Sequence, residues 1–468
     1  MKDTRVPRRW PAGAVTLAAA LLGLPGVGWS QSAARNDPPA LELAHPGGGS
    51  ATPITLTLAE AIARAGQNDA QFLAARSDAD LARDDRIQAG AALLPSVSAT
   101  TQYLGNSANG VNPNGRFVSM DGVRMYRAWG VVHQDLSANT LTLAPVRKAR
   151  AMALAAAARV DIAQRGLAVT VTRAYFSLAA NQRKHATAQQ ATQQAAHFLE
   201  ITQRQERLGQ VAHADSVKAE VAFELQQNIL LDAQLAVENA RLALAVLVSP
   251  VLDENFTIVD DGAGGPVLPA FTEVRALATQ NNPDVREATA ALDAANHDVG
   301  VSRSALLPSF AVDAVYGIEA NEFALNSRIA AQPELGVLPN LGYSLTLNLQ
   351  VPIWDWGGLR SKLHQSRTRQ QQAQVTLTQT QRQVLGNVYS MYNEALTART
   401  IADRLQHTAE LAAESLRLTT LRYEAGESTA LEVVDAQNTL VAARDAADDA
   451  RTRYRVAIAD LQTVTGPF

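Results

Sequence analysis

No cysteine occurs anywhere in this 468-residue chain. Disulfides, thiol nucleophiles and a lipid-bearing N-terminal cysteine are therefore excluded. Aromatic residues make up only 5% of the chain, and the formal net charge is −4. That balance offers neither a basic surface for nucleic acid nor a large mixed core. The eight histidines, His45, His133, His185, His197, His213, His297, His364 and His407, are scattered, with no pair at the i, i+3 or i, i+4 spacing of helical metal ligands. No Gly-rich phosphate loop, nucleophile elbow or catalytic triad is present, so neither a cofactor nor an enzymatic activity is expected. Past residue 30 there is no run of 18 apolar residues, which leaves no transmembrane helix. If such a chain spans a membrane, it must do so as a closed β-barrel.

Residues 1–30 read as a secretory signal. Lys2, Arg5, Arg8 and Arg9 form a charged start, Ala14 to Leu24 an apolar stretch, and Gly28, Trp29 and Ser30 a cleavage region. Residues 31–53, rich in Pro, Gly, Ala and Ser, read as a flexible lead-in.

The rest reads as a duplication. The first repeat, 54–249, begins with a helical pattern over 58–93 that meets Pro95. A strand over 96–104 follows, with Val97, Ala99, Thr101 and Tyr103 opposite Ser98, Thr100 and Gln102. A polar loop leads to a second strand over 125–135, whose alternation is too poor to assign its apolar face. The helix over 145–208 is expected to be about 95 Å long, far more than a globular core needs. It turns at Gly209 and returns to Val248. A linker spans 250–270, with Pro266 and Pro269 among its breakers. The second repeat, 271–468, restates the order. Leu306-Leu-Pro-Ser-Phe310 answers Leu93-Leu-Pro-Ser-Val97, and Asn282-Pro-Asp answers Asn68-Asp-Ala. The strand after Pro308 aligns Phe310, Val312, Ala314, Tyr316 and Ile318 on one face. That over 343–351 alternates without exception. The helix over 358–425 carries an apolar seam from Val384 to Leu416, and the last helix one from Val433 to Val464. Both step by 3 and 4, the spacing of a coiled coil, and both are rich in alanine.

The two hairpin tips are the most informative stretches. Gly209 and Gly426 each stop a long helix by taking the left-handed conformation. After Gly426, Thr429 and Glu432 form a capping box. Four strands of nine to eleven residues suit a tilted crossing of a bilayer, yet four cannot close a barrel, and three copies would supply twelve.

With these motifs, the chain resembles TolC-type outer-membrane efflux proteins from about Leu56 to Leu461. The motifs are the two Leu-Leu-Pro-Ser segments, Asn282-Pro-Asp284, and the tip Arg422-Tyr-Glu-Ala-Gly426 with Val433-Val-Asp-Ala-Gln437. The resemblance implies a mainly α protein with a small membrane β portion. Its duplicated hairpins would form a homotrimeric α-barrel continuous with a twelve-stranded β-barrel in outer-membrane lipid. A periplasmic adaptor and an inner-membrane pump would be its partners, and nucleic acid would not. It further implies acidic gate rings from Glu432 and Asp435, and a hydrogen-bond latch between Asp215 and Tyr423. The tips at Leu208, Gly209, Val211, Ala212, Ala425, Gly426 and Ser428 would contact the adaptor. The function expected is a passive, gated exit duct. The rival readings are a protein-secretion duct rather than drug efflux, or a periplasmic coiled-coil scaffold.

Overall fold

The computed structural model describes residues 54–105, 124–249, 256–259, 267–320 and 341–466. The expected signal, the lead-in and most of the loop between the first two strands lie outside the described residues. The first repeat runs β1 (Ile54–Leu56), α1 (Leu58–Asn68), α2 (Ala70–Ala91), β2 (Ser96–Gly105), β3 (Arg124–Asp135), α3 (Ala138–Thr142), α4 (Ala144–Arg207) and α5 (His213–Val248). After β4 (Phe256–Ile258) come α6 (Phe271–Asn281), α7 (Pro283–Ser304), β5 (Ser309–Ala320), β6 (Leu341–Gln350), α8 (Gly358–Glu424) and α9 (Ala430–Thr465). The fold is mainly helical, with two long hairpins, α4–α5 and α8–α9, and one four-stranded sheet. At 1.5 Å per residue, α4 and α8 each extend about 100 Å.

Two helices expected as continuous are broken. The 58–93 pattern breaks at Asp69, whose carboxylate accepts the Phe72 amide N–H at 2.7 Å and so starts α2. The 271–306 pattern breaks at Asn282, which accepts the Val285 N–H at 3.0 Å, with Pro283 opening α7. The two breaks divide their work differently. Asn68 donates its side-chain amide to the Val248 carbonyl at 3.4 Å, closing the end of α5. Asn282 both caps α7 and donates to the Val464 carbonyl at 3.4 Å. One buried residue in the second repeat thus does what Asn68 and Asp69 share in the first.

The expected linker is not featureless. Within it β4 pairs in parallel with β1, and Phe256 is buried. Tyr175 of α4 pins this small sheet. Its hydroxyl lies 3.0 Å from the Leu56 carbonyl oxygen and 2.6 Å from that of Val259, and accepts the Val259 N–H at 3.1 Å. Strands of three residues carry too little pattern to be read from sequence.

The coiled-coil seams are where the sequence places them. In α8, Val384, Val388, Ala395, Ala398, Ala409, Ala412 and Leu416 are buried, and in α9 Val433, Leu440, Ala443, Ala447, Ala450, Leu461 and Val464 are buried. Small side chains let α9 approach both α4 and α8 closely. One polar cluster interrupts this packing midway. Asp448, 5% exposed, accepts from Arg183 of α4 at 2.7 Å and from Arg451 at 3.2 Å, while Arg451 also bonds Gln406 of α8. Beside it, a carboxylate oxygen of Asp445 is buried with no hydrogen-bond partner among the described residues.

The four-stranded sheet is antiparallel in the order β2-β3-β5-β6. Its register settles the face of β3. Val132 is paired with Val97 and Ala314, and Ala314 with Leu345, so Ala128, Gly130 and Val132 join the apolar face. The other face carries Gln102, Arg127, His133, Asp313 and Asn348. There His133 meets Asp313 at 2.6 Å, Asn348 donates to Asp313 at 2.8 Å, and Arg127 donates to Gln102 at 3.2 Å. The sequence pattern of β3 is blurred because Trp129 and Val131 lie on this polar face.

Asn282→Ala removes both a cap and a buried bond, and should lower stability by about 2 kcal/mol in thermal or denaturant unfolding of the purified protein. Asn68→Ala, which keeps the Asp69 cap, should lower it by less. Burial raises the Asp445 carboxyl above its ordinary value, so the folded state binds this proton more tightly than the unfolded chain. Its contribution to stability is greatest in acid and is lost as pH rises through the folded value. Asp445→Asn should therefore melt higher than the parent near neutrality, and the difference should shrink on acidification toward the carboxylate range.

Candidate functional site at the helical tips

Both hairpin tips are closed by the same backbone device. At the first, Gly209 has φ +72°, its N–H donates to the Glu206 carbonyl at 2.9 Å, and Gln210 N–H donates to the Gln205 carbonyl at 2.9 Å. At the second, Gly426 has φ +81°, with Gly426 N–H bonded to Tyr423 at 3.0 Å and Glu427 N–H to Arg422 at 2.8 Å. These are Schellman motifs, and the positive φ at each explains the glycine. The turns leave Leu208, Gly209, Ala212, Ala425 and Gly426 exposed, with Val211 and Ser428 half-buried. Ser428 donates its hydroxyl to the Thr419 carbonyl at 3.2 Å.

Each tip has its own side-chain brace. Across the first, His213 Nδ1 lies 2.8 Å from Glu206 Oε1, and hydrogen bonds from His213 and Ser216 hold the Glu206 carboxyl below its ordinary value. Across the second, Arg422 donates to the Glu427 carbonyl at 3.1 Å and lies 3.9 Å from the Glu432 carboxylate. Glu432 also completes the expected capping box. Its N–H donates to the Thr429 hydroxyl at 3.3 Å, and its carboxylate accepts the Thr429 N–H at 3.3 Å. Asp435 is exposed one turn further along α9. So Glu432 and Asp435 share a solvent-facing side of α9, flanking the buried Val433.

Asp215 and Tyr423 are not joined. Asp215, in the first turn of α5, lies 3.8 Å from Lys218 of its own helix. Tyr423, 5% exposed, points into the core between α4 and α8. Its ring packs edge-on to Phe198 at 5.0 Å, and its hydroxyl lies 3.4 Å from that of Thr202. Thr202 in turn donates to the Phe198 carbonyl at 2.9 Å. Among the described residues no hydrogen bond joins the two, and the tyrosine ring packs against α4. Phe198 and Thr202 were not singled out from the sequence. Their signal is the buried side of α4 that also carries Ala188, Ala191 and Ala195. Beside the ring lies a groove of about 400 Å³, lined by Phe198, Ile201, Leu416, Leu421, Val433 and Leu440 among others. The site is a pair of helix ends, held by a small buried cluster of Phe198, Ala219, Tyr423, Ala430 and Val433 and by a few exposed charges.

Comparison with known proteins agrees with that architecture. The family described as "Outer membrane efflux protein" matches residues 61–249 and 274–467, one match per repeat. Nodulation protein T of Rhizobium leguminosarum bv. trifolii is 29% identical over 61% of this chain, which spans about 60% of that protein's length. Outer membrane protein TolC of Vibrio cholerae is 24% identical over 87% of this chain and 90% of its own. Among solved structures, the Campylobacter jejuni CmeC outer membrane channel superposes with a TM-score of 0.73 at 18% identity, covering 87% of this chain and 85% of that one. At that identity the likeness is one of fold. With the family match covering most of both repeats, the chain belongs to the outer membrane efflux protein family.

Proposed function

We propose that three copies of this chain close into a passive outer-membrane duct, the exit of a tripartite efflux or export system. The observation that carries this reading is a wall left open on both sides. Among the described residues, β2 and β6 each have a single partner strand, so each offers an unpaired edge. A four-stranded sheet is below the smallest membrane barrel, and three copies supply twelve strands. The apolar sheet face would meet lipid, and the face with Arg127, His133 and Asp313 would meet water.

The helices are open in the same sense. α4 and α9 pack side by side, leaving α5 and α8 as flanks. Those flanks expose Val221, Leu225 and Leu235 on α5, and Leu385, Tyr389 and Leu411 on α8. Apolar stripes of this kind on a protein surface call for a partner, and a neighbouring copy would cover both at once.

Energy would come from an inner-membrane pump, and a periplasmic adaptor would dock on the tip residues Leu208 to Ala212 and Ala425 to Ser428. Their small or apolar side chains admit a second helical hairpin. Repeated by a threefold axis, Glu432 and Asp435 would form two acidic rings at the narrow end, favouring cations. Opening would swing α8–α9 away from α4, withdrawing Tyr423 from Phe198. Asp448, bonded to Arg183, would mark the limit of that motion.

The test is single-channel recording in planar bilayers. The parent should insert and conduct weakly. Glu432→Gln with Asp435→Asn should reduce cation selectivity, read from the reversal potential in a salt gradient. Selectivity left unchanged would remove these acids from the pore. Tyr423→Ala, which empties a buried aromatic site worth about 3 kcal/mol, should raise conductance. Tyr423→Phe should leave conductance near the parent's, because the Thr202 contact is long for a hydroxyl pair. A large rise with Phe would restore a hydroxyl latch in place of the ring.

A further inference from the structure

Where strand passes into long helix, the two repeats share three features that the duct itself does not require. The first is backbone strain. Among the described residues, the only non-glycine positions with positive φ are Leu143 and Trp356, both at 56°. Leu143 immediately precedes α4, and Trp356 stands two residues before α8. A left-handed conformation costs an ordinary L-residue about 1 kcal/mol or more, and strain of this kind accompanies function. Here it holds apolar side chains outward. Trp356 is 89% exposed, as is Ile353, and Trp354 packs edge-on to Trp356 at 5.6 Å.

The second feature is charge. Residues 144–160 of α4 contain no acid, and neither do residues 358–393 of α8. Instead Arg147 and Arg150 open α4, and Arg360 and Lys362 open α8; all four are exposed, with no ion-pair partner among the described residues. Basic groups at a helix N-terminus oppose the helix dipole, so an external anion is the natural counterpart. The third feature is the fate of the nearby acids. Asp135 accepts the Ser137 N–H at 2.7 Å, and Asp355 accepts those of Gly357 at 3.0 Å and Leu359 at 2.5 Å. Asp298 is taken by Lys148 at 2.5 Å and by Ser366 at 2.9 Å. These three acids therefore cap turns or pair internally, whereas Asp84 and Asp85 of α2 are exposed.

We infer that these two junctions form a collar that binds anionic phospholipid in the leaflet facing the helices. Ile353, Trp354, Trp356 and Leu143 sit at the depth of the headgroups, and Arg147, Arg150, Arg360 and Lys362 hold their phosphates. Amphipathic indole rings favour that depth, and long basic side chains reach toward phosphate from it. Each such cation near an anionic surface favours binding by a factor of about five. The inference rests on the membrane-barrel reading above.

The experiment uses the full protein in vesicles of phosphatidylcholine, with or without phosphatidylglycerol, and reads the melting temperature of the oligomer. Phosphatidylglycerol should raise it for the parent, and high salt should abolish the rise. The variant R147Q/R150Q/R360Q/K362Q should lose the rise, while R147K/R150K/R360K should keep it. A parent indifferent to phosphatidylglycerol, or a rise that survives high salt, overturns the collar, and neither result depends on the variants folding. So does a glutamine variant that responds like the parent but shifts ion selectivity, which would place the cations in the lumen. Failure of the parent to insert into any bilayer would instead sink the barrel reading on which the collar stands.

Discussion

The constraint on which this architecture depends is that no backbone N–H or C=O can be left unpaired in hydrocarbon. β2 and β6 present a row of such groups along each edge of a sheet whose apolar face is exposed from Val97 across to Leu347. In water those edges would invite aggregation. In lipid they would force closure by copies of the same chain. In the proposed trimer, closure by rotation would set the rest. The helices that follow the strands would form a wall of the same symmetry. That would account for α5 and α8 exposing apolar flanks while α4 and α9 bury alanine against each other.

Most of this fold was legible because its signals are long. Ten-residue alternation in β6 and seams of ten positions in α8 and α9 leave little choice of period. What escaped was short or divided. β1 and β4 have three residues each, and only Tyr175, far away in α4, reveals that they pair. The breaks at Asp69 and Asn282 were hidden by apolar spacing that continues through them. β3 was ambiguous because Trp129 and Val131 occupy its polar face, and only its pairing with β5 decides the matter.

The tips were legible to a different degree. Gly209, Gly426 and the Thr429–Glu432 box follow from local rules, since a left-handed turn and a cap need only a few neighbours. The partner of Tyr423 does not. It lies on α4, 221 positions away, and whether a tyrosine turns toward Thr202 or Asp215 depends on how two hairpins pack. The resemblance pairs Asp215 with Tyr423, but Phe198 offers the ring a dry site that a solvated aspartate cannot match.

The distribution of strength along the hairpins then argues for where motion would begin. The braces at the tips are exposed. Arg422 and Glu432 are about half accessible and 3.9 Å apart, and such pairs contribute roughly 0–1 kcal/mol each. The Tyr423 ring is the one large buried group close to the second turn. Further up, Asp448 is buried between Arg183 and Arg451, and removing one member of such a set leaves an uncompensated charge. A force applied at the tips would therefore part α8–α9 from α4 as far as the Phe198–Tyr423 contact at little cost. It would meet steep resistance at Asp448. In the proposed duct, a hinge bounded in this way would let the narrow end open while the wall toward the membrane stayed shut.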